Sequence, residues 1–281
     1  MIILLFLNLL LSGPDSLLVK KGEVSDFTNA VSVTYDGKEN IYVLDAGTNQ
    51  IVKFDNRLKY LKRNGKQGWS EGQFDSPSCI DGSSGLDIFV SDGKNKRVQR
   101  LDLELNPVSI LKTNLSDFPA DLQYNNPVGT LVLNSNELYV IDGDNNRIVV
   151  YKDGRNPNGI FGDYTSGKGT LSRPVKMLKD GNNFIYVLDK EMNTIFRFDN
   201  LGNYISRLSV EALETFSISG NTLYMFNGRE IILYDLEKNN VYDTKILPRK
   251  FSKKKFRDFL VLNSKKYLLL EKNNLSLWQE N

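Results

Sequence analysis

The 281-residue sequence contains no histidine. That absence removes the commonest general acid–base group near neutral pH and the commonest zinc ligand. Cysteine occurs once, as Cys79, so no disulfide forms within the chain. With no histidine to activate it, this thiol reads as a small hydrophobe and not as a nucleophile. Neither sign of charge dominates: 36 basic residues stand against 34 acidic ones. No global field therefore draws nucleic acid or an anionic membrane. The apolar run over residues 2–11 is broken only by Asn8 and is far short of the roughly 20 residues a membrane-spanning helix needs. It fits the apolar centre of a secretory signal peptide followed by the small residues Ser12 and Gly13, although no Lys or Arg precedes it. The expectation is a signal peptide over 1–13 and a mature domain over 14–281, exported to the periplasm or cell exterior; a retained run would instead mean a cytoplasmic protein.

One short phrase recurs at a near-constant interval. It reads Ile41-Tyr42-Val43-Leu44-Asp45, Ile88-Phe89-Val90-Ser91-Asp92, Leu138-Tyr139-Val140-Ile141-Asp142 and Ile185-Tyr186-Val187-Leu188-Asp189, with weaker copies ending at Asn227 and Glu271. The spacing of 38 to 50 residues, with several short strands in each unit, is the signature of a β-propeller blade. Six copies predict an all-β, six-bladed propeller of four-stranded antiparallel blades. In the first repeat, alternation and turn residues place strands at 29–35, 40–45, 50–55 and 58–62, with Asp36-Gly37 making the first turn. The final repeat yields only three strands, over 256–262, 266–271 and 275–279, while residues 16–20 are a spare strand at the other terminus. Pairing that strand into the last blade closes the ring and removes open edges.

The unit Pro127-Val128, Glu137 to Asp142 and Asn146-Arg147-Ile148-Val149-Val150-Tyr151 resembles an NHL repeat. The segment from Gly65 to Pro77, with its Gly72-Gln73-Phe74-Asp75-Ser76-Pro77 ending, is similar to that family's glycine-rich inter-blade linker; residues 161–174 are a looser copy. The resemblance covers blades one to four well and implies a scaffold whose function lies in its loops. Some six-bladed relatives are lactonases or a peptide-amidating lyase, with calcium or zinc at the central channel. Without histidine, the lyase's zinc site and a paraoxonase-like histidine pair have no counterpart here. A calcium site built from carboxylates and amides needs neither; the inner-strand polar residues Asp81, Lys176 and Asp258 could face the channel, with Asp81 and Asp258 as its metal candidates. No cofactor is expected otherwise.

The repeated Asp45, Asp92, Asp142 and Asp189, with Asn49, Asn95, Asn146 and Asn193, have two readings. Oxygen donors suit calcium, but Asp and Asn in hairpin turns also bond nearby backbone amides. Because they recur blade by blade, they lie around a ring and do not converge, which favours the structural reading. The densest charge runs from Lys245 to Arg257 with no acid between. In this fold, inter-blade loops and second-to-third-strand turns share one face. That face is expected to offer Trp69, Lys96, Arg97, Arg147, Arg249, Lys250, Lys253, Lys254, Lys255 and Arg257 to a partner, since Trp and Arg are the types most enriched in binding hot spots. The sequence reading is thus a monomeric, non-catalytic binding scaffold for a protein or glycan, with a calcium-dependent lactonase as the alternative and RNA binding third.

Overall fold

The computed structural model describes residues 2–4, 18–112, 118–133, 137–152, 155–247, 255–263 and 265–280. Six sheets surround a central channel, each running from an inner to an outer strand. Blade one comprises β3 (Ala30–Tyr35), β4 (Ile41–Asp45), β5 (Gln50–Phe54) and β6 (Tyr60–Asn64). Blade two comprises β7 (Pro77–Asp81), β8 (Asp87–Asp92), β9 (Arg97–Asp102) and β10 (Pro107–Lys112). Blade three comprises β11 (Pro127–Val132), β12 (Leu138–Asp142), β13 (Arg147–Tyr151) and β14 (Pro157–Phe161). Blade four comprises β15 (Pro174–Lys179), β16 (Ile185–Asp189), β17 (Thr194–Phe198) and β18 (Tyr204–Ser209). Blade five comprises β19 (Thr215–Ser219), β20 (Thr222–Phe226), β21 (Glu230–Asp235) and β22 (Asn240–Ile246).

Blade six is made by both ends of the chain. Its inner three strands are β23 (Phe256–Asn263), β24 (Lys266–Glu271) and β25 (Leu275–Glu280), and its outer strand is β2 (Leu18–Val24), antiparallel to β25. Closure by an N-terminal strand is therefore as the sequence predicts, over a longer segment displaced toward the C-terminus. Residues Ile2–Leu4 (β1) lie parallel to β18 as a fifth strand on blade four. The described part of the apolar N-terminal run, expected to stay outside the propeller, is thus paired with the outer edge of blade four. Among the described residues, no helix is long and apolar enough to cross a membrane.

There is no single core. Six buried clusters lie one at each blade interface, because the second strand of every blade is apolar on both faces. In blade one, Ile41 and Val43 pack toward blade six while Tyr42 and Leu44 pack toward blade two. Blade four repeats this, with Ile185 and Val187 facing blade three and Tyr186 and Leu188 facing blade five. Period-two alternation alone sends successive side chains to opposite neighbours. In five blades the inner strand shifts register near its start, between Ala30 and Ser32, Pro77 and Cys79, Pro127 and Gly129, Pro174 and Lys176, and Phe256 and Asp258. A bulge re-aims the residue after it, and here that places Ser32, Cys79, Lys176 and Asp258 on the channel wall.

Turn chemistry differs from expectation in two places. The first turn of blade one takes its left-handed residue at Glu39 (φ 61°) and not at Gly37, while Asp36 accepts the backbone N–H groups of Lys38 and Asn40 at 2.8 and 2.9 Å. The outer strand of blade one begins at Tyr60 because Leu58 is itself left-handed (φ 65°) and closes the turn from Asp55.

Candidate functional site

The channel holds a cavity of about 260 Å³ that runs to the ends of the inner strands, where Ser83, Asp180 and Gly181 line it. Its most charged feature is a clasp across the ring. Lys176 Nζ donates to Asp258 Oδ1 at 2.6 Å and to the carbonyls of Phe216 and Phe259 at 2.7 and 3.2 Å. Asp258 in turn accepts the N–H of Phe259 at 2.8 Å and, through Oδ2, the N–H of Val33 in blade one at 3.0 Å. Blades four, five, six and one are tied through this pair. Asp81 plays a similar part between blades two and three, accepting the N–H of Val132 at 3.2 Å and that of Ser83 at 2.9 Å. Burial pushes its carboxyl up, against the opposing pull of its hydrogen bonds from Ser83 and Val132 and of Lys179. Ser32 and Ser217 complete the pattern by accepting the N–H groups of Ile80 and Val261 in the next blade.

A calcium ion does not fit this donor set. Calcium takes six to eight oxygens with several carboxylates among them, whereas Asp258 already faces an ammonium and Asp81 spends both oxygens on backbone amides. No group of three Asp, Glu or Cys residues among the described residues is placed to hold a metal. Cys79 lines the same cavity, and burial pushes its thiol up to about 11, so it stays protonated at neutral pH.

The aspartates that end the second strands are buried in four blades, and each grips the chain entering its own inner strand. Asp45 accepts the N–H groups of Thr28 and Asn29 at 3.0 and 2.7 Å and that of Gly47 at 3.0 Å. Asp189 accepts those of Ser172 and Arg173 at 2.6 and 3.0 Å and of Glu191 and Met192 at 3.1 Å. Asp92 takes the N–H of Asp75 at 2.7 Å, and Asp142 that of Asn125 at 3.2 Å. The amide partners are less uniform than the sequence suggests. Asn49, Asn146 and Asn193 occupy the left-handed turn position, but in blade two Lys96 does (φ 52°). Asn95 sits one residue earlier and donates to Asp92 at 2.9 Å. Asn49 reaches onward to accept the N–H of Ser76 in the next linker at 3.0 Å.

A second set of turn aspartates lies on the opposite face; the sequence reading places Asp36 in a turn but misses Asp102, Asp199 and the asparagine partner of each. Asp36, Asp102 and Asp199 each pair with an asparagine four residues on, at 2.7, 2.8 and 2.8 Å through its side-chain amide. The Asp-x-x-x-Asn spacing was the available signal. Burial pushes the Asp36 carboxyl up, but hydrogen bonds from Asn40, Tyr42 and Lys38 outweigh it and hold it below the usual range.

Of the partner-facing candidates, Trp69, Lys96, Lys255 and Arg257 are exposed. Arg97 is not: it is 1% exposed, and its Nε donates to Asp92 at 2.8 Å. Arg147 is largely covered, donating to the Gln123 carbonyl at 2.9 Å and facing Asp142 at 3.4 Å. Both arginines follow a hairpin turn, where sequence implies exposure; the incoming linker covers them. Lys245, at the start of the basic run, pairs with Glu280 at 2.9 Å and bridges blades five and six. Arg249, Lys250, Lys253 and Lys254 lie outside the described residues.

If Asp142 acts as a turn clamp, Asp142→Ala should cost about 1–3 kcal/mol, because it orphans buried donors. A chelator should leave the melting temperature of the unmodified protein unchanged. A chelator-induced drop would assign these carboxylates to a cation instead.

No family model matches the chain, and no curated protein matches it. Solved structures do match in shape, and they define the class as a six-bladed β-propeller. A streptogramin B lyase is 12% identical with a TM-score of 0.62, over 94% of this chain and 98% of that one. Virginiamycin B lyase from Staphylococcus aureus is 12% identical with a TM-score of 0.63, over 92% and 99%. A catalytically inactive histidine-to-alanine variant of that lyase with quinupristin is 13% identical with a TM-score of 0.62, over 90% and 80%. At this identity the likeness is one of fold.

Proposed function

We propose that the chain is an exported, NHL-type propeller that acts without catalysis, binding a protein partner through the face shared by its inter-blade loops and second-to-third-strand turns. The observation that carries this reading is the chemical state of the channel. Its closest ammonium–carboxylate pair, Lys176 with Asp258, is consumed in joining blades, burial holds its thiol in the protonated form, and the chain has no histidine to move a proton. The loop face, by contrast, presents Trp69, Lys96, Lys255 and Arg257 to solvent. Near-neutral overall charge favours a protein over RNA.

A lyase or calcium-dependent lactonase is the second reading, favoured by the shape of the lyases above. Their described inactivation by loss of a histidine has no equivalent here, because this chain has none. Incubation with a streptogramin B or a sugar lactone, with calcium or magnesium added, should give no turnover; turnover would establish the second reading. For the first, affinity capture from the exported fraction should yield a protein whose binding weakens on Lys255→Glu with Arg257→Glu. Raised salt should act in the same direction, because exposed charges are screened beyond about 10 Å at 0.1 M. N-terminal sequencing of the native protein should start just after Ser12 or Gly13. An intact Met1 would place it in the cytoplasm.

A further inference from the structure

Trp69 is 81% exposed, yet the loop carrying it is gripped at the Gly68, Trp69, Ser70 and Gln73 carbonyls. The buried Arg97 donates through Nη1 to the Trp69 carbonyl at 2.5 Å, and through Nη2 to those of Ser70 and Gln73 at 2.9 and 2.8 Å. Asn95 takes the Gly68 carbonyl at 2.8 Å. Gln99 takes that of Gln73 at 2.6 Å and accepts the Gly72 N–H at 3.0 Å. Beneath the loop, Phe74 is buried as a plug, and its N–H and carbonyl pair with Lys66 and Gly68 at 2.9 and 3.1 Å. Left-handed Gly65 and Gly72 (φ 109° and 70°) make the bends.

Surface loops ordinarily leave such carbonyls to water and remain mobile. Here a guanidinium is buried with its counter-ion Asp92, its desolvation offset by that pair and by the three loop carbonyls it holds. What the arrangement produces is a fixed platform for one large apolar side chain held out into solvent. Fixing the backbone beneath a hot-spot side chain before binding lowers the ordering cost of association. The surrounding charge is set by Lys66, Lys94 and Lys96, all exposed, against Glu71 and Asp75; Asp75 lies 3.8 Å from Lys94.

We propose that the Trp69 loop is a preformed anchor for an acidic, extended polypeptide segment. An apolar side chain of the segment would lie on the indole and its carboxylates would face Lys66, Lys94 and Lys96, with Arg97 as the positioning residue. This rests on the protein-binding reading above and specifies its contact. Arg97 touches no partner; it acts through the Trp69, Ser70 and Gln73 carbonyls.

The test uses a synthetic glutamate-rich peptide carrying two leucines, with its lysine-for-glutamate counterpart and a heparin oligosaccharide as other arms. Trp69 and Trp278 are the only tryptophans and Trp278 is buried, so acrylamide quenching reports on Trp69. The acidic peptide should blue-shift the emission and protect Trp69, and the other two should not. Trp69→Ala, which removes nothing buried, should fold normally and weaken peptide binding about 30-fold, the scale of an interface hot spot. Lys94→Glu with Lys96→Glu should weaken it severalfold. Arg97→Lys keeps the charge but not the fork. Measured well below its melting temperature, it should lower the fluorescence anisotropy of Trp69, a change that a loss of global stability alone would not cause.

Absence of protection by the acidic peptide, protection by heparin alone, or unchanged anisotropy in Arg97→Lys would overturn the proposal. A captured partner that tolerates Trp69→Ala but not the Lys255 and Arg257 reversals would overturn it while leaving the binding reading intact. A partner indifferent to both sets would overturn that reading itself.

Discussion

Replacing Asp258 with alanine should destabilise the propeller by about 3–5 kcal/mol, the scale on which removing one member of a buried ion pair acts. The substitution strands the Lys176 ammonium on the channel wall and orphans the backbone N–H of Val33, which has Asp258 as its partner across the blade six to blade one junction. For a domain of this size the melting temperature should fall by on the order of 10 °C. Lys176→Met should cost less, because Asp258 keeps the amides of Val33 and Phe259. Lys176→Met with Asp258→Leu should recover part of the loss, since an apolar pair removes the buried charge but not the orphaned amide. Calorimetry on the three variants with and without calcium separates this from a ligand role. A calcium-dependent rise in the melting temperature that Asp258→Ala abolishes would make Asp258 a metal ligand, and a loss below 1 kcal/mol would remove it from the ring's structural joints.

The contrast between Asp258 and Asp45 shows what the sequence can reveal about this fold. Asp45 and its equivalents close a local hairpin phrase, so periodicity finds the blades and the turn aspartates together. The second strands are found for the same reason, since a strand buried between two blades is apolar on both of its faces. The channel clasp joins residues 82 positions apart; the repeat puts Lys176 and Asp258 on inner strands and so marks them as channel-facing, but nothing in the sequence pairs one with the other. What brings them together is the bulge near the start of each of their two inner strands, which sequence shows only as a residue count. Arg97 is the sharper case. A basic residue after a hairpin turn resembles a surface contact, and only the packing of residues 69–73 over it turns it into a buried support. The loop is legible as a linker by its glycines, and Trp69 as an exposed residue on it, but the grip of Asn95, Arg97 and Gln99 on its carbonyls is not.

Removing Leu18–Val24 should have the larger effect on the state of the protein, because it leaves the last blade with three strands and an open apolar edge. Pairing runs from Leu18 opposite Glu280 to Val24 opposite Leu275, with a bulge between Lys20 and Gly22. Leu18 joins the cluster that includes Trp278, and Val24 packs on the cluster between blades six and one. Burying side chains of this size contributes about 1.5–3 kcal/mol each, and each ladder hydrogen bond adds about 1 kcal/mol, so the deletion should cost 5 kcal/mol or more. The exposed edge of Leu275–Glu280 then offers unpaired backbone groups beside Leu277 and Trp278, the condition that promotes strand addition between molecules. A chain starting at residue 25 should therefore melt well below the full chain and aggregate, as followed by calorimetry and light scattering. A chain starting at residue 14 keeps β2 and should melt as the full chain does, and a peptide spanning residues 16–26 added in trans should restore the shorter one. A monomeric chain from residue 25 with an unshifted melting curve would mean that the blade-interface clusters hold the ring closed without the N-terminal strand.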